Sequence, residues 1–380
     1  MPRKRNQHVA TVADSPGFDE LREVRRALLG WYELNKRDLP WRRTTDAYAI
    51  WVSEVMLQQT RVETVLPYYA RFLERFPHVA ALAEASLDDV LAMWSGLGYY
   101  RRARLLHAGA RHVTTRNDGR IPNDLAAIRE IPGVGAYTAG AIGSQAFSLQ
   151  TPVVDGNVAR VVARWCAIEV DVKKGAGLAR TWRIAGDLVR GERPGALNNA
   201  LMELGATVCV PHNPRCASCP ITGHCQARAR GLERSLPIAS DKPVRPRVIE
   251  AAAILRVRGG DPQQVVVARC AEGGLFSGLW EAPRVSASAA GRPVDEHIAR
   301  ASLEAMLGAA ISLGRSPPRR FEHVLTHRLI DVTVWEGEID RAPHAIGPAH
   351  GARYDAVDVV DAATLATRGV STLARRVLGV

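Results

Sequence analysis

Four cysteines fall close together in the stretch CVPHNPRCASCPITGHC, at Cys209, Cys216, Cys219 and Cys225. The spacing is C-x6-C-x2-C-x5-C. Four thiolates this near can wrap one tetrahedral zinc or one cubane 4Fe–4S cluster. Zinc sites usually pair two short knuckles, and here only one short pair exists. The spacing therefore favours the iron–sulfur cluster, with zinc as the alternative. Arg215, between two of the ligands, could then face a phosphate. Cys166 and Cys270 stand alone and are expected to be buried, inert thiols. Nothing in this distribution looks like a secreted disulfide framework.

Two carboxyl groups also stand in settings that suit chemistry. Glu54 lies in WVSEVMLQQT, with Ile50, Trp51, Val52, Val55, Met56 and Leu57 around it. Such neighbours desolvate a carboxyl and favour its protonated form, which suits a general acid near neutral pH. The plain alternative is an exposed helix glutamate, against which the apolar flanks on both sides argue. Asp155, in TPVVDGNVARVVAR, follows an apolar run and precedes a helix. It can cap that helix, or serve as a fixed anion beside a developing cation, or do both.

A third element is the turn IPGVGAYTAG at 131–140. Gly133, Val134 and Gly135 fall between a helix ending near Glu130 and another starting near Gly135. Glycines permit a tight hairpin whose backbone N–H groups and following helix N-terminus can hold a DNA phosphate without reading sequence. A plain interhelical turn would look much the same. Tyr137 sits inside this stretch.

These residues need a scaffold, and its outline is legible. Apolar residues recur at helical spacing from about 18 to 235, in segments such as 46–59, 62–76, 99–115, 123–130, 136–147 and 155–168. Breakers such as Phe76-Pro77 and Asn117-Asp118-Gly119 separate them. The proline-rich LPIASDKPVRPRV at 236–248 is expected to be a linker. Beyond it, AAAILRV, QQVVVARC and LIDVTVWEG are expected strands, and DEHIARASLEAMLG a helix. The expected domains are a disordered basic arm at 1–17, a helical domain at 18–235, the linker, and an α+β domain at 249–380. The helical domain would contain the hairpin at about 123–147 and the cysteine loop at 209–225.

Charge separates the same two parts. Net charge is +11 over 380 residues. Residues up to 248 hold 35 Lys and Arg against 24 Asp and Glu; from 249 on there are 15 of each. The excess is confined to the first part, which suits a nucleic-acid partner and equally a merely basic protein. No apolar run approaches a membrane span, and MPRKRNQH lacks the apolar core of a secretory signal. A reducing, cytoplasmic setting is expected, associated with the nucleoid.

Taken in order, the PGVG hairpin, VDGNVAR and the cysteine pattern resemble the endonuclease III superfamily of helix-hairpin-helix DNA glycosylases. LPWRR at 39–43, WVSEVMLQQTRVETV at 51–65, GLGYYRRARLLH at 96–107 and ALMELGATVC at 200–209 are similar to one branch, the MutY-type adenine DNA glycosylases. That resemblance implies base excision repair. Adenine mispaired with 8-oxoguanine, or with guanine, would be flipped from double-stranded DNA and hydrolysed from its sugar. Glu54 would protonate the base at N7, Asp155 would stabilise the oxocarbenium-like sugar, and Asn157 matches a residue beside Asp155. Leu39, Trp41 and Arg42 match residues lining the adenine pocket. Gln59 and Tyr99 match groups that fill or wedge the vacated helix, although simple helix-start packing is the alternative for Tyr99. Tyr137 stands where bifunctional relatives carry a Schiff-base lysine, which implies a monofunctional enzyme. A 4Fe–4S cluster on the four cysteines and a monomeric state complete the expectation.

The C-terminal part is similar to the NUDIX-like domain by which this branch recognises 8-oxoguanine, with FSGLWEAPR at 276–284. The acidic metal-binding run of true NUDIX hydrolases is missing, so nucleotide hydrolysis is not expected. In FEHVLTHRLIDV, Thr326 and His327 keep the residue types of the family's Phe-Ser-His loop, while Leu325 replaces its aromatic. Asn199 departs likewise, since the family tends to carry Gln or Glu there. Three rivals are a bifunctional oxidised-pyrimidine enzyme, a DNA-binding protein without catalysis, and a NUDIX hydrolase. Tyr137, the Glu54–Asp155 pair and the missing acidic run argue against them in turn.

Overall fold

The computed structural model describes residues 16–238, 244–286, 294–314, 317–347 and 353–380. Twelve helices come first: α1 Phe18–Asn35, α2 Ala47–Leu57, α3 Val62–Arg75, α4 Val79–Glu84, α5 Leu87–Met93, α6 Arg101–Arg116, α7 Leu125–Glu130, α8 Ala136–Ala146, α9 Gly156–Trp165, α10 Gly175–Val189, α11 Pro194–Thr207 and α12 Gln226–Ala229. Strands β1 Arg247–Val257, β2 Val265–Cys270, β3 Trp280–Glu281 and β4 Arg284–Ser286 follow. Then come α13 Glu296–Leu307, β5 Ile311–Leu313, β6 Arg319–Val324, β7 Leu329–Ile339, β8 Tyr354–Val360, α14 Ala362–Ala366 and α15 Thr372–Leu378. The helical part and the α+β part are those expected. Residues 1–15 of the expected basic arm lie outside the described residues, as do 239–243 of the expected linker. β1 begins at Arg247, inside the stretch expected to be linker. Among the described residues no helix is long and apolar enough to cross a membrane.

The described residues form two compact units, each drawn from two stretches. Unit one takes the chain up to Glu54 and again from Ile121 to 238. Unit two takes Val55–Arg120 and the chain from 244 onward. In unit one, Val24, Leu28 and Tyr32 of α1 recur at the helical period and pack with Val158, Val162 and Trp165 of α9, Leu188 of α10 and Leu201 of α11. Helix α2 is different. Its residues 47–56 are buried on every side, which its almost wholly apolar sequence permits. It stops at Leu57, short of the expected 59, because Gln59 adopts a left-handed φ of 58°.

Unit two joins helices α3–α6 to the α+β part. Phe72 sits edge-on to Phe76 and Trp94, with centroids 4.9 and 5.8 Å apart. The main sheet has the order β4-β1-β7-β5, with β6 also on β7. β1 and β7 run parallel in register from Arg247 opposite Leu329 to Val257 opposite Ile339. A parallel central pair is buried on both faces, hence the unbroken apolar run AAAIL. Ala251, Ala253 and Leu255 face Leu303 and Met306 of α13, while Ala252 and Ile254 face Leu373 and Val377 of α15. The second sheet, β3-β2-β8, is antiparallel. Glu281 and Glu250 are buried and spent on Arg284, with Tyr354 donating to Glu281 at 2.7 Å.

The two stretches of unit two are stitched together by specific bonds. The Val370 carbonyl accepts from Tyr100 Oη at 2.8 Å and Ser95 Oγ at 2.9 Å. Arg104 donates to the Ser277 carbonyl at 2.6 Å, and Gly369 has no room for a Cβ beside Leu91.

Candidate active site

In unit one, four chemistry-bearing side chains converge. Glu54, carried by the buried α2, is 3% exposed. Tyr137, in the first turn of α8, donates its hydroxyl to Glu54 Oε2 at 2.6 Å. Gln145, two turns further along α8, donates Nε2 to Glu54 Oε1 at 3.2 Å. Asp155 is the N-cap of α9 and accepts from the Val158 N–H at 2.7 Å and from Asn157 Nδ2 at 2.8 Å. Capping and a fixed negative charge are thus compatible in one residue.

The electrostatics of the pair follow from burial. Desolvation pushes the Glu54 carboxyl up from its ordinary range and the Asp155 charge pushes it further, while the bonds from Tyr137 and Gln145 and the charge of Arg42 pull back. Asp155 is also pushed up by burial, against the N–H groups it accepts from and the charge of Arg160. Two buried carboxyls that sense one another do not both ionise readily. Asp155 has the N–H donors and the positive end of α9, which favour its charge, while burial favours the protonated form of Glu54. Burial beside these acids holds Tyr137 well above its usual pKa, so it stays a hydroxyl.

Asn157 is placed from both sides. Its Oδ1 accepts from Arg160 Nη2 at 2.8 Å, and Arg160 Nε reaches the Cys209 carbonyl at 2.7 Å. On the other side, Gly205 of α11 lies so close that a Cβ there would stand 2.6 Å from that of Asn157.

The hairpin forms as expected, with α7 capped by Asp124 and α8 entered through Gly135. The helix begins at Leu125 rather than 123, since Asp124 turns out of it to accept from the Ala127 N–H at 2.9 Å. Gly133 takes a φ of +81°, which favours glycine. Val134 is buried and anchors the turn. No side chain caps α8, so its first-turn N–H groups stay open to an outside acceptor.

Trp41 and Arg42 line a depression of about 290 Å³, as do Gln145 and Asn199. Leu39 is buried nearby in sequence but outside that lining. Arg42 is bound to Glu203 at 2.8 Å, and Arg37 grips the same carboxylate at 2.8 Å through both Nε and Nη2. These partners pull Glu203 down to about 2 despite its burial. The four cysteines line one pocket.

Unit two holds the remaining expected residues. Gln59 and Tyr99 both adopt left-handed φ, 58° and 50°, a conformation costly for such side chains. Both flank Arg102, which donates to the carbonyls of Val55, Met56 and Gln58 at 2.8, 2.7 and 2.6 Å and to that of Gly98 at 3.1 Å. The Tyr99 hydroxyl is hydrogen-bonded to Thr326. Thr326 and His327 are exposed at the β6–β7 hairpin, whereas Leu325 packs against the core. Sequence reasoning singled out neither Arg102, Glu203 nor Gln145. Glu203 had a signal, since LMELG flanks it with apolar residues as Glu54 is flanked.

A helical hairpin laid against a buried acid, with an aspartate capping the next helix, belongs to the class of helix-hairpin-helix base-excision glycosylases. Residues 52–182 match the family described as HhH-GPD superfamily base excision DNA repair protein. A thermostable thymine-DNA glycosylase of known structure is 27% identical, with a TM-score of 0.52 over 56% of this chain and 98% of its own. The adenine DNA glycosylase of Mus musculus is 36% identical across 91% of this chain and 76% of the mouse protein. That of Arabidopsis thaliana is 40% identical over 72% of this chain, and the human one 38% over 73%. The chain belongs to the adenine DNA glycosylase family, which are hydrolases of base excision repair. It spans about half the length of the Arabidopsis relative (49%) and 60% of the human one.

Proposed function

We propose that this chain removes adenine from DNA in which the adenine faces 8-oxoguanine or guanine, by hydrolysis and without cutting the strand. The observation that carries the reading is the buried Glu54 carboxyl held by Tyr137 and pushed by burial toward its protonated form, with Asp155 fixed beside it. The base is flipped from the duplex. Glu54 gives its proton to adenine N7, and the N-glycosidic bond breaks with its electrons leaving on the base. Asp155 stabilises the positive sugar, with Asn157 orienting it. Water adds to C1′ and its proton returns to the Glu54 carboxylate. Tyr137 has no amine to capture the sugar, so the product is an intact abasic strand. The division at 18–235 and 249–380 is retained as the functional one, with DNA held by Gly133, Val134 and Gly135, and the chain acting as a monomer.

Tyr99 and Thr326 share one hydrogen bond, and this supports a reading role for that loop, with His327, against the 8-oxoguanine. Gln59 and Tyr99 fill the space the adenine leaves. Leu39, Trp41 and Arg42 shape the base pocket.

The four cysteines suit a 4Fe–4S cluster. Their thiols line one pocket, yet among the described residues no three Cys, His, Asp or Glu groups are placed to hold a single metal ion. Cys209, Cys216, Cys219 and Cys225 would hold the cluster, which supplies a rigid clasp for the loop and local charge.

The test is cleavage of labelled duplexes holding A opposite 8-oxoguanine, A opposite T, or an oxidised pyrimidine opposite G, with and without hot alkali. Alkali-dependent cutting only at the first is expected. Alkali-independent cutting at the oxidised pyrimidine would overturn the reading.

A further inference from the structure

Gln145 is a polar residue in the small-residue helix AYTAGAIGSQA, and the mechanism above gives it no task. Its carboxamide is engaged at both ends. Nε2 donates to Glu54 Oε1 at 3.2 Å, and Oε1 accepts from Asn199 Nδ2 at 3.3 Å. Both amides also line the depression that holds Trp41 and Arg42. Resting on the excision reading, we propose that Gln145 and Asn199 are a positioning pair that aims the Glu54 carboxyl and sets how readily it gives up its proton.

A carboxamide has a donor end and an acceptor end, and which end faces Glu54 matters. If the oxygen faced Glu54, it would need the carboxyl proton, and would hold it. With the N–H facing Glu54, that carboxyl oxygen is an acceptor and the ionised form is favoured. Asn199 decides between these, because its own N–H occupies the Gln145 oxygen. The pair therefore works against burial, keeping the proton transferable. The other groups facing Glu54 are Tyr137 from α8, Asp155 from the cap of α9, and Arg42, which Glu203 of α11 holds by an ion pair. Of these, only the Tyr137 hydroxyl can also exchange donor for acceptor, by turning toward Met202 Sδ at 3.7 Å, and among the described residues no second side chain fixes its sense as Asn199 fixes that of Gln145. Asn199 thus acts through Gln145 upon the acid.

The test is single-turnover adenine release by the full chain across a pH series. As a general acid, Glu54 works when protonated, so the rate falls above its pKa. Gln145→Leu removes the donor, and the alkaline limb should move up by about one pH unit. Asn199→Ala should move it in the same direction by less. Asn199→Asp reverses the relay, since it accepts from the Gln145 N–H and turns the oxygen toward Glu54; it should move the limb furthest. Duplex affinity should change by less than about threefold. A limb that stays in place in all three variants overturns the proposal, whatever happens to the maximal rate. A carbon-13 titration of the Glu54 carboxyl in the parent and in Asn199→Asp reads the same shift without catalysis. If the parent releases no adenine, the excision reading fails while this titration still decides the pair. Asn199→Asp is nearly isosteric, which covers the case in which Gln145→Leu does not fold.

Discussion

Glu54 is where sequence and geometry agree most closely, and the reason is local. Its apolar flanks are on one helix, and that helix is buried on all sides. Glu54→Gln keeps the shape and removes the proton, so adenine release should fall about 10²–10⁴-fold in a single-turnover assay. The same substitution should stabilise the fold. A carboxyl whose folded pKa is raised binds more protons folded than unfolded, so stability declines as pH rises from the unfolded pKa through the folded one. The melting temperature of Glu54→Gln should match the parent below about pH 4 and exceed it at neutral pH. Equal melting temperatures at both would mean the carboxyl is not desolvated. Asp155→Asn should cost about 10²–10³-fold in rate with DNA binding kept. Gln145 was not legible, since it meets Glu54 only when α8 is packed against α2.

At the scale of elements, the hairpin, the caps and the strand pair were readable because each rests on neighbours in sequence: Asp before a helix, glycine in a turn, a continuous apolar run. The clamps were not readable. Arg102 ties the turn after α2 to the start of α6, across more than forty residues. Nothing in RRAR marks which arginine does so. Arg102→Ala should release Gln59 and Tyr99 from their left-handed conformations. The preference for A opposite 8-oxoguanine over A opposite G should fall about tenfold, the equivalent of one lost contact near 1.4 kcal/mol. Competition between the two duplexes measures this, and an unchanged ratio would free Arg102 of any such part. Glu203 is a second clamp. Its partners are unlike, Arg42 being 9% and Arg37 39% exposed at the side chain. Glu203→Gln should cost about 2–3 kcal/mol by urea denaturation, less than a wholly buried pair would. Because Glu203 lies below its ordinary range, its contribution is present above pH 4–5 and vanishes as pH falls through about 2.

For the molecule as a whole, composition told more than pattern. The charge excess lies entirely before residue 249, and the α+β part is neutral. Binding to duplex should therefore weaken steeply with salt, and the slope should belong to the first part. Arg215→Ala, an exposed position within the cysteine loop, should reduce the slope of log K against log salt by about one. Arg300→Ala, half-buried on α13, should leave it unchanged. A drop from the second and none from the first would refute this division. What composition did not show is the division of the chain into compact units, because Val55–Arg120 reads as ordinary helix and only tertiary contacts assign it.

That division has a consequence during synthesis. Chains emerge from the ribosome N-terminus first and tend to fold as units become complete. Unit one is interrupted after Glu54 and resumes at Ile121, so the acid leaves the ribosome long before Tyr137 and Asp155 can meet it. Once 238 has emerged, that unit is whole, yet Ser95 and Tyr100 still await Val370. A nascent chain at this stage carries both Glu54 and Asp155 in place, while Tyr99 still lacks its partner Thr326. A chain broken off there by a premature stop would keep the Glu54–Tyr137 bond without Thr326, the partner that Tyr99 holds in the complete fold.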